Sequence, residues 1–414
     1  MAISGSFILP GDKSISHRAL MLGALTDGKS VINNISTGKD VESTRQCLMD
    51  CGIESIKLDN SIEIFGGAFK NPTKGLNCGN SGTTVRLISG LLAGQGISAK
   101  FIGDASLSKR PMNRIIEPLN KMGVQFQSNN GCLPISMVSD VLKNISYTAS
   151  IASAQVKSAI LLAALGAEGK TIVYEPIKTR DHTEIMLMEL GANIKLDENI
   201  EIMKLSKPLN SFTMNIPSDP SSSAFFAALA CIVPNSSIEI KSVLINKTRM
   251  GFYNTLKKMG AEIDISNKRY EYGEPVGDIK VFYSLLNGIN IDKEVVPSII
   301  DEIPILAVIA TQADGPTIIS GASELRVKES DRIKAICTNL LNMGCDIIEK
   351  KDGFIINPGN RLHNTNINSF EDHRIAMAFT IAGYLTDKKN LIDSMECINI
   401  SFPEFTDILA TIDR

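Results

Sequence analysis

The sequence predicts an α/β chain of two similar domains, each made of three repeated α/β units, and three observations predict it. Five helical segments end in the same device, a residue pair followed by Gly and a short strand. These glycines, Gly52, Gly123, Gly191, Gly260 and Gly344, lie 71, 68, 69 and 84 residues apart. Glycine just past a helix takes the left-handed conformation that turns the chain straight into a strand. A second helix series, out of phase with the first, opens on small polar residues followed by Ala and Leu. Its members begin near Ser14, Ser81, Ser153, Ser221, Asp301 and Asp372, at spacings of 67, 72, 68, 80 and 71 residues. Finally, 414 residues exceed one ordinary core, and strand–helix alternation suits compact three-unit domains better than a solenoid.

Taken in order, the chain opens with a strand over Ile3 to Leu9, then Gly11-Asp12-Lys13-Ser14-Ile15-Ser16-His17-Arg18. That stretch reads as a turn entering a helix, with Ser14 as the cap and with Lys13 and Arg18 at the turn and the first helical turn. Free N–H groups and the helix dipole favour an anion there. Alternating segments such as Ser61 to Phe65 and Phe354 to Asn357 read as further strands. The sixth unit lacks its Gly-ended pair, and Phe402 to Ile412 supplies only a helix. The expectation is that Ile3 to Leu9 provides its missing strand, placing the first residues in the domain of the last. Pro217-Ser218-Asp219-Pro220 reads as a linker. The domains are therefore expected at 13–219, and at 1–12 plus 220–414, with crossings at Asp12-Lys13 and near Asp219.

A net charge of −3 argues against a nucleic-acid or membrane surface, so a cationic site must be a local concentration. The eight cysteines show no Cys-x-x-Cys pair and no His at metal-ligand spacing. Buried thiols in a reducing cytoplasm are expected, with no metal or other cofactor. No apolar run approaches the roughly 18 residues of a membrane span, and the N-terminus lacks a targeting pattern. A monomer is the expected state.

The second helix series shares more than a period. Its N-termini carry Asn80-Ser81-Gly82-Thr83, Ser153-Ala154-Gln155, Asp219-Pro220-Ser221, Asp301-Glu302 and Asp372-His373-Arg374. Each taken singly reads as an ordinary cap. Lys109-Arg110-Pro111 and Arg326-Val327-Lys328-Glu329-Ser330-Asp331-Arg332 are harder to explain that way, because Arg332 and Arg374 lead into apolar helices. Together these motifs, in their order and spacing, resemble the 5-enolpyruvylshikimate-3-phosphate synthase family over essentially the whole chain.

The resemblance implies domains with helices inside and strands outside, an inside-out α/β barrel-like form. It also implies transfer of the enolpyruvyl group of phosphoenolpyruvate to the 5-hydroxyl of shikimate 3-phosphate, releasing phosphate. On that reading Lys13, Arg110 and the backbone at Gly82 hold the phosphoenolpyruvate phosphate, with Arg332 and Arg374 on its carboxylate, and Asn80 is a further substrate-binding residue. Arg18 and Ser14 take the shikimate carboxylate side, and Ser153, Ala154, Gln155 and Arg180 the 3-phosphate side. Asp301 and Lys328 meet the ring hydroxyls. Glu329 is the implied acid at the methylene carbon, Asp301 the base for the hydroxyl, and Lys13 the third catalytic group. The cations divide between the two domains, so ligand is expected to draw them together.

Some positions depart from the family pattern. Ile400-Ser401-Phe402-Pro403 stands where many relatives carry Lys-Thr-Phe-Pro, Glu324 where Asn is common, and Leu87 where Pro is common. Ser153-Ala154-Gln155 and Thr179-Arg180-Asp181-His182 resemble the class in which many members resist glyphosate, whereas Gly82 resembles the sensitive pattern. Two alternatives stand beside this reading. One is the sister enolpyruvyl transferase acting on UDP-N-acetylglucosamine, which has Lys-Asn where this chain has Lys13-Ser14 and a reactive Cys in a loop that here, from Gly103 to Arg114, has none. The other is a non-catalytic binder of anionic metabolites, against which the carboxylates Asp301 and Glu329 argue.

Overall fold

A computed structural model describes residues 2–357, 359 and 361–412. The chain groups into two compact units. The N-terminal module comprises Gly11–Ile216 and Tyr270–Glu274, and the C-terminal module Met1–Pro10, Pro217–Arg269 and Pro275–Arg414.

In the N-terminal module the helices are α1 (Lys13–Gly23), α2 (Lys39–Asp50), α3 (Gly82–Gly94), α4 (Asn113–Lys121), α5 (Ala154–Ala164) and α6 (His182–Glu189). The C-terminal module has α7 (Pro220–Ile232), α8 (Gly251–Met259), α9 (Val296–Ile299), α10 (Ile303–Ala310), α11 (Arg332–Asn342), α12 (His373–Ala382) and α13 (Phe405–Ile412). Helices α1, α3, α5, α7, α10 and α12 are the expected out-of-phase series, and they are buried nearly all round. Every residue of α10 is buried, as is all of α7 except Ser222. A helix with no polar face can only be a core helix.

Helices α2, α4, α6, α8 and α11 are flanked by sheets built to one plan. Gly28–Asn33, α2, Glu54–Lys57 and Ser61–Gly66 form one such unit, its last two strands antiparallel, and Thr213–Asn215 joins the sheet edge in parallel. The sheets around α4, α6, α8 and α11 repeat the four-stranded pattern. Several strands bury one face and leave the other more open, as in Cys132–Val138 and Ser237–Leu244. All five repeat glycines have positive φ, from +86° at Gly344 to +107° at Gly123.

Two expectations need correction. Ile3–Leu9 does form a strand, Ser4–Ile8, but it pairs in parallel with Ser237–Leu244 of the fourth unit, with Ser4 opposite Ser237 and Ile8 opposite Lys241. The sixth unit keeps only the two-stranded Asn366–Ile367 and Leu391–Ile392 pair among the described residues. The fourth sheet would otherwise expose the long edge of Ser237–Leu244, which explains where the strand goes. The C-terminal helix begins at Phe405, because Pro403 lacks the N–H that a helix interior requires.

Candidate active site

In the N-terminal module the N-termini of α1, α3 and α5 carry the motif residues. Asp12, not Ser14, caps α1, its carboxylate accepting from the Ile15 N–H at 2.8 Å. Lys13 is thus the first helical residue, and Arg18 lies in the second turn and not the first. A buried carboxylate outcompetes a hydroxyl as cap because its acceptor is charged. Ser81 caps α3 and Ser153 caps α5, accepting from Thr84 and Val156. Gly82 and Ala154 are therefore first-turn residues whose backbones lie at the helix N-termini, the positive ends of the dipoles. A Cβ at Gly82 would lie 2.6 Å from Arg86 Nη1, so a side chain there would require the Arg86 guanidinium to shift.

The cations are held by polar partners. Lys13 Nζ lies 3.1 Å from Asp40 Oδ2. Arg18 is 3% exposed, and it donates from Nε to Thr183 Oγ1, from Nη1 to the Ser14 carbonyl and from Nη2 to Ser158 Oγ, at 2.7, 2.8 and 2.7 Å. Burial pushes its pKa down to about 10, with Glu184 and Asp12 working in the opposite direction. Arg110 donates to Asn80 Oδ1 at 2.8 Å, and Asn80 in turn to Asp104. Gln155 bridges α5 to α3, accepting from Arg86 Nη1 at 2.9 Å and donating to Thr83 Oγ1 at 3.0 Å. Arg180 precedes α6, half-buried, and its charge is felt at Arg18.

Beneath these groups runs a buried hydrogen-bond chain from His17 Nδ1 to Thr44, to Thr84 and to the Ser81 cap, each link 2.7 Å. Burial, followed by the charges of Lys13 and Arg18, holds the His17 pKa well below 6.5.

The C-terminal module gathers its motif residues around Asp301, at the start of the segment leading into α10. Its Oδ1 lies 4.0 Å from Lys328 Nζ, 3.6 Å from Arg332 Nη1 and 3.9 Å from Arg374 Nε. Arg374 also donates to the Asp301 carbonyl at 3.0 Å. Arg332 is 1% exposed. It donates from Nε to Asp372 at 2.8 Å and from Nη2 to Glu329 Oε2 at 2.6 Å. Burial works against its charge, but Asp372 and Glu329 outweigh burial and raise its pKa. Asp372 does double duty as the cap of α12, accepting from the Arg374 N–H at 3.0 Å. Burial pushes the Lys328 pKa below the ordinary lysine value, with Asp301 opposing.

Arg332 Nη1 has no hydrogen-bond partner among the described residues. A buried donor left so costs on the order of 1–3 kcal/mol, and more when charged. A carboxylate arriving there would remove that cost. Among the described residues no group of three or more His, Cys, Asp or Glu is placed to hold a metal ion.

Sequence reasoning missed three contributors, Asp40, Arg86 and Arg249, and it named Asp372 without its pairing to Arg332. Asp40 and Asp372 pair with Lys13 and Arg332 from positions 27 and 40 residues away in the chain, separations that no local pattern reveals. Arg86 was legible in principle, since it stands four residues after Gly82, on the same helix face. Arg249, which donates to Asp219 and Ser221 at the start of α7, carries no motif.

The model of the family EPSP synthase (3-phosphoshikimate 1-carboxyvinyltransferase) matches residues 1–409. A protein of Sulfurihydrogenibium named 3-phosphoshikimate 1-carboxyvinyltransferase is 45% identical, covering 100% of this chain and 98% of that relative. Its namesake from Petrotoga mobilis is 47% identical, covering 99% of this chain and 97% of its own length. The solved EPSP synthase of Acinetobacter baumannii superposes with a TM-score of 0.88 at 41% identity, covering 99% of this chain and 96% of its own. The enolpyruvyl transferase NikO of Streptomyces tendae, 14% identical with a TM-score of 0.81 over 100% of this chain and 95% of that one, shares the fold. With a family match along almost the entire chain and relatives alike over their full lengths, this chain belongs to the EPSP synthase family.

Proposed function

We propose that this protein transfers the enolpyruvyl group of phosphoenolpyruvate to the 5-hydroxyl of shikimate 3-phosphate, releasing phosphate, in the shikimate route to aromatic amino acids. The observation that carries the residue roles is the Asp301 cluster, where carboxylates stand among cations. Pure anion capture has no use for carboxylates, whereas addition followed by elimination needs a proton donor and a proton acceptor.

Arg332 and Arg374 hold the donor carboxylate, which satisfies the open Arg332 Nη1. By taking Arg332, that carboxylate also releases Glu329 from its 2.6 Å pair; the freed Glu329 takes up a proton from solvent and delivers it to the methylene carbon. Asp301 accepts the proton of the 5-hydroxyl as its oxygen bonds to C2. In the resulting ketal, Glu329, now a carboxylate, takes back a methyl proton as the C–O bond to phosphate breaks with its electron pair leaving on the phosphate, which restores the vinyl group; Asp301 gives its proton to the departing phosphate or to solvent. Lys13, Arg110, Asn80 and the Gly82 backbone hold the departing phosphate, and Lys13 exchanges Asp40 for it. Ser14 and Arg18 serve the acceptor carboxylate. Ser153, Ala154, Gln155 and Arg180 serve the 3-phosphate, and Lys328 meets a ring hydroxyl.

The same reading takes the two domains as 13–219 and 1–12 plus 220–414, each of the inside-out kind, in a monomeric cytoplasmic enzyme. Sheets with one buried face around wholly buried helices support it. Phosphate release with phosphoenolpyruvate and each acceptor in turn is the test. Release that requires UDP-N-acetylglucosamine, or that occurs with neither acceptor, overturns it.

A further inference from the structure

The N-terminal module contains one short segment far from the rest in sequence, Tyr270–Glu274. It is the turn between strands Ile263–Glu271 and Glu274–Phe282, and it leaves only Tyr272 and Gly273 outside the strands. Their φ values of +47° and +75° are those of the two-residue turn that suits a twisted hairpin. Three interactions seat the turn. The Thr213 N–H donates to the Tyr272 hydroxyl at 3.1 Å, and the Tyr272 ring meets Phe212 edge-on at 6.0 Å. A Cβ on Gly273 would lie 2.7 Å from Ile185 and 2.9 Å from Glu189, so this turn packs directly on α6.

A fourth interaction is chemical. Glu274 and His182, 2% and 0% exposed, are joined by a 2.7 Å hydrogen bond from Nδ1 to Oε1. His182 is the first residue of α6, directly between Arg180-Asp181 and Thr183. Thr183 Oγ1 is the acceptor for Arg18 Nε and lies 2.7 Å from Ser158 Oγ, which takes Arg18 Nη2. A carboxylate on a ring nitrogen settles which nitrogen carries the proton and which way the ring faces. Here the ring begins a helix, so its orientation is also that of the first turn of α6.

We propose that Glu274 is a positioning residue for the acceptor-binding cations: by holding His182 it sets the first turn of α6, and through Thr183 and the preceding Arg180 it sets where Arg18 and Arg180 present their charge. This rests on the reading above, in which those two arginines bind shikimate 3-phosphate. Neither motif reading nor the proposed chemistry uses Glu274. The Glu274 charge is felt at Arg18, where it works with Glu184 and Asp12 against the effect of burial.

The test is steady-state kinetics on the full chain. E274A is expected to raise KM for shikimate 3-phosphate about tenfold, with kcat and KM for phosphoenolpyruvate within about twofold of wild type. E274Q keeps an acceptor for the His182 N–H and is expected to restore most of the lost affinity. Thr183→Val and E274A, acting along one path, should combine to less than the product of their separate effects. A merely structural turn would lower the melting temperature without this split. The proposal fails if folded E274A keeps KM for shikimate 3-phosphate within about twofold, if both KM values and kcat change together, or if the two substitutions multiply. If E274A is recovered unfolded, E274D, which withdraws the carboxylate by one methylene, carries the same comparison. Wild type without acceptor-dependent release overturns the functional reading and this proposal together, whereas wild-type turnover with unchanged variants overturns this proposal alone.

Discussion

Lys13 stands at the first turn of α1 with its ammonium on Asp40 and 20% of its side chain exposed, so it contributes little to the core. Lys13→Met is therefore expected to keep the far-ultraviolet circular dichroism of wild type while turnover falls by about three orders of magnitude, the scale of removing one charge–charge interaction from a transition state. More than about a tenth of wild-type rate would remove Lys13 from the chemistry. For Asp301→Ala and Glu329→Ala, turnover should fall far more than substrate affinity, because proton-transfer groups act chiefly in the transition state. A raised KM with unchanged kcat would leave them as binding residues.

His17 makes a different kind of prediction. The folded protein holds it neutral, so below its ordinary value of 6.5 the unfolded chain takes up a proton that the native state refuses. Its stabilising contribution is whole above pH 6.5 and is lost as the pH falls. The loss approaches about 1.4 kcal/mol per pH unit. Chemical denaturation of His17→Gln should therefore show a shallower decline in stability from pH 6.5 downward than wild type does. Parallel declines would mean that His17 titrates alike in both states.

At the level of elements, both helix series were legible, because wholly apolar segments with polar caps and Gly-ended amphipathic segments repeat at nearly constant spacing. The repeat located α1, α3, α5, α7, α10 and α12 and the glycines at their partners' ends. Cap identity was less legible. Asp12 and Ser14 both suit a helix start, and only the hydrogen bond from the Ile15 N–H to the Asp12 carboxylate shows which of the two closes α1. Strand pairing was the least legible, since Ile3 to Leu9 fits either open edge and register depends on a partner more than 200 residues away. The same reason hid Asp40, the pairing of Asp372 with Arg332 and the Glu274 turn. Their partners lie in other units, and pairing of that range leaves no local period.

For the whole molecule, the cations proposed to bind substrate divide between the modules, with Lys13, Arg18, Arg110 and Arg180 in one and Lys328, Arg332 and Arg374 in the other. Shikimate 3-phosphate, served by Arg18 and by Asp301, is expected to draw the modules together, with the crossings near Asp12 and Pro217 to Pro220 as hinges. Small-angle scattering should show a smaller radius of gyration with saturating shikimate 3-phosphate, and an unchanged radius would argue for a preformed cleft. Beneath this lies the central claim, that carboxylates set among cations make this protein a catalyst of enolpyruvyl transfer and not a binder of anions. Inorganic phosphate released from phosphoenolpyruvate by the purified protein tests it most directly. Release that depends on shikimate 3-phosphate and matches, mole for mole, the enolpyruvyl product is the result the account predicts. Tight binding of both ligands with no phosphate released would contradict it.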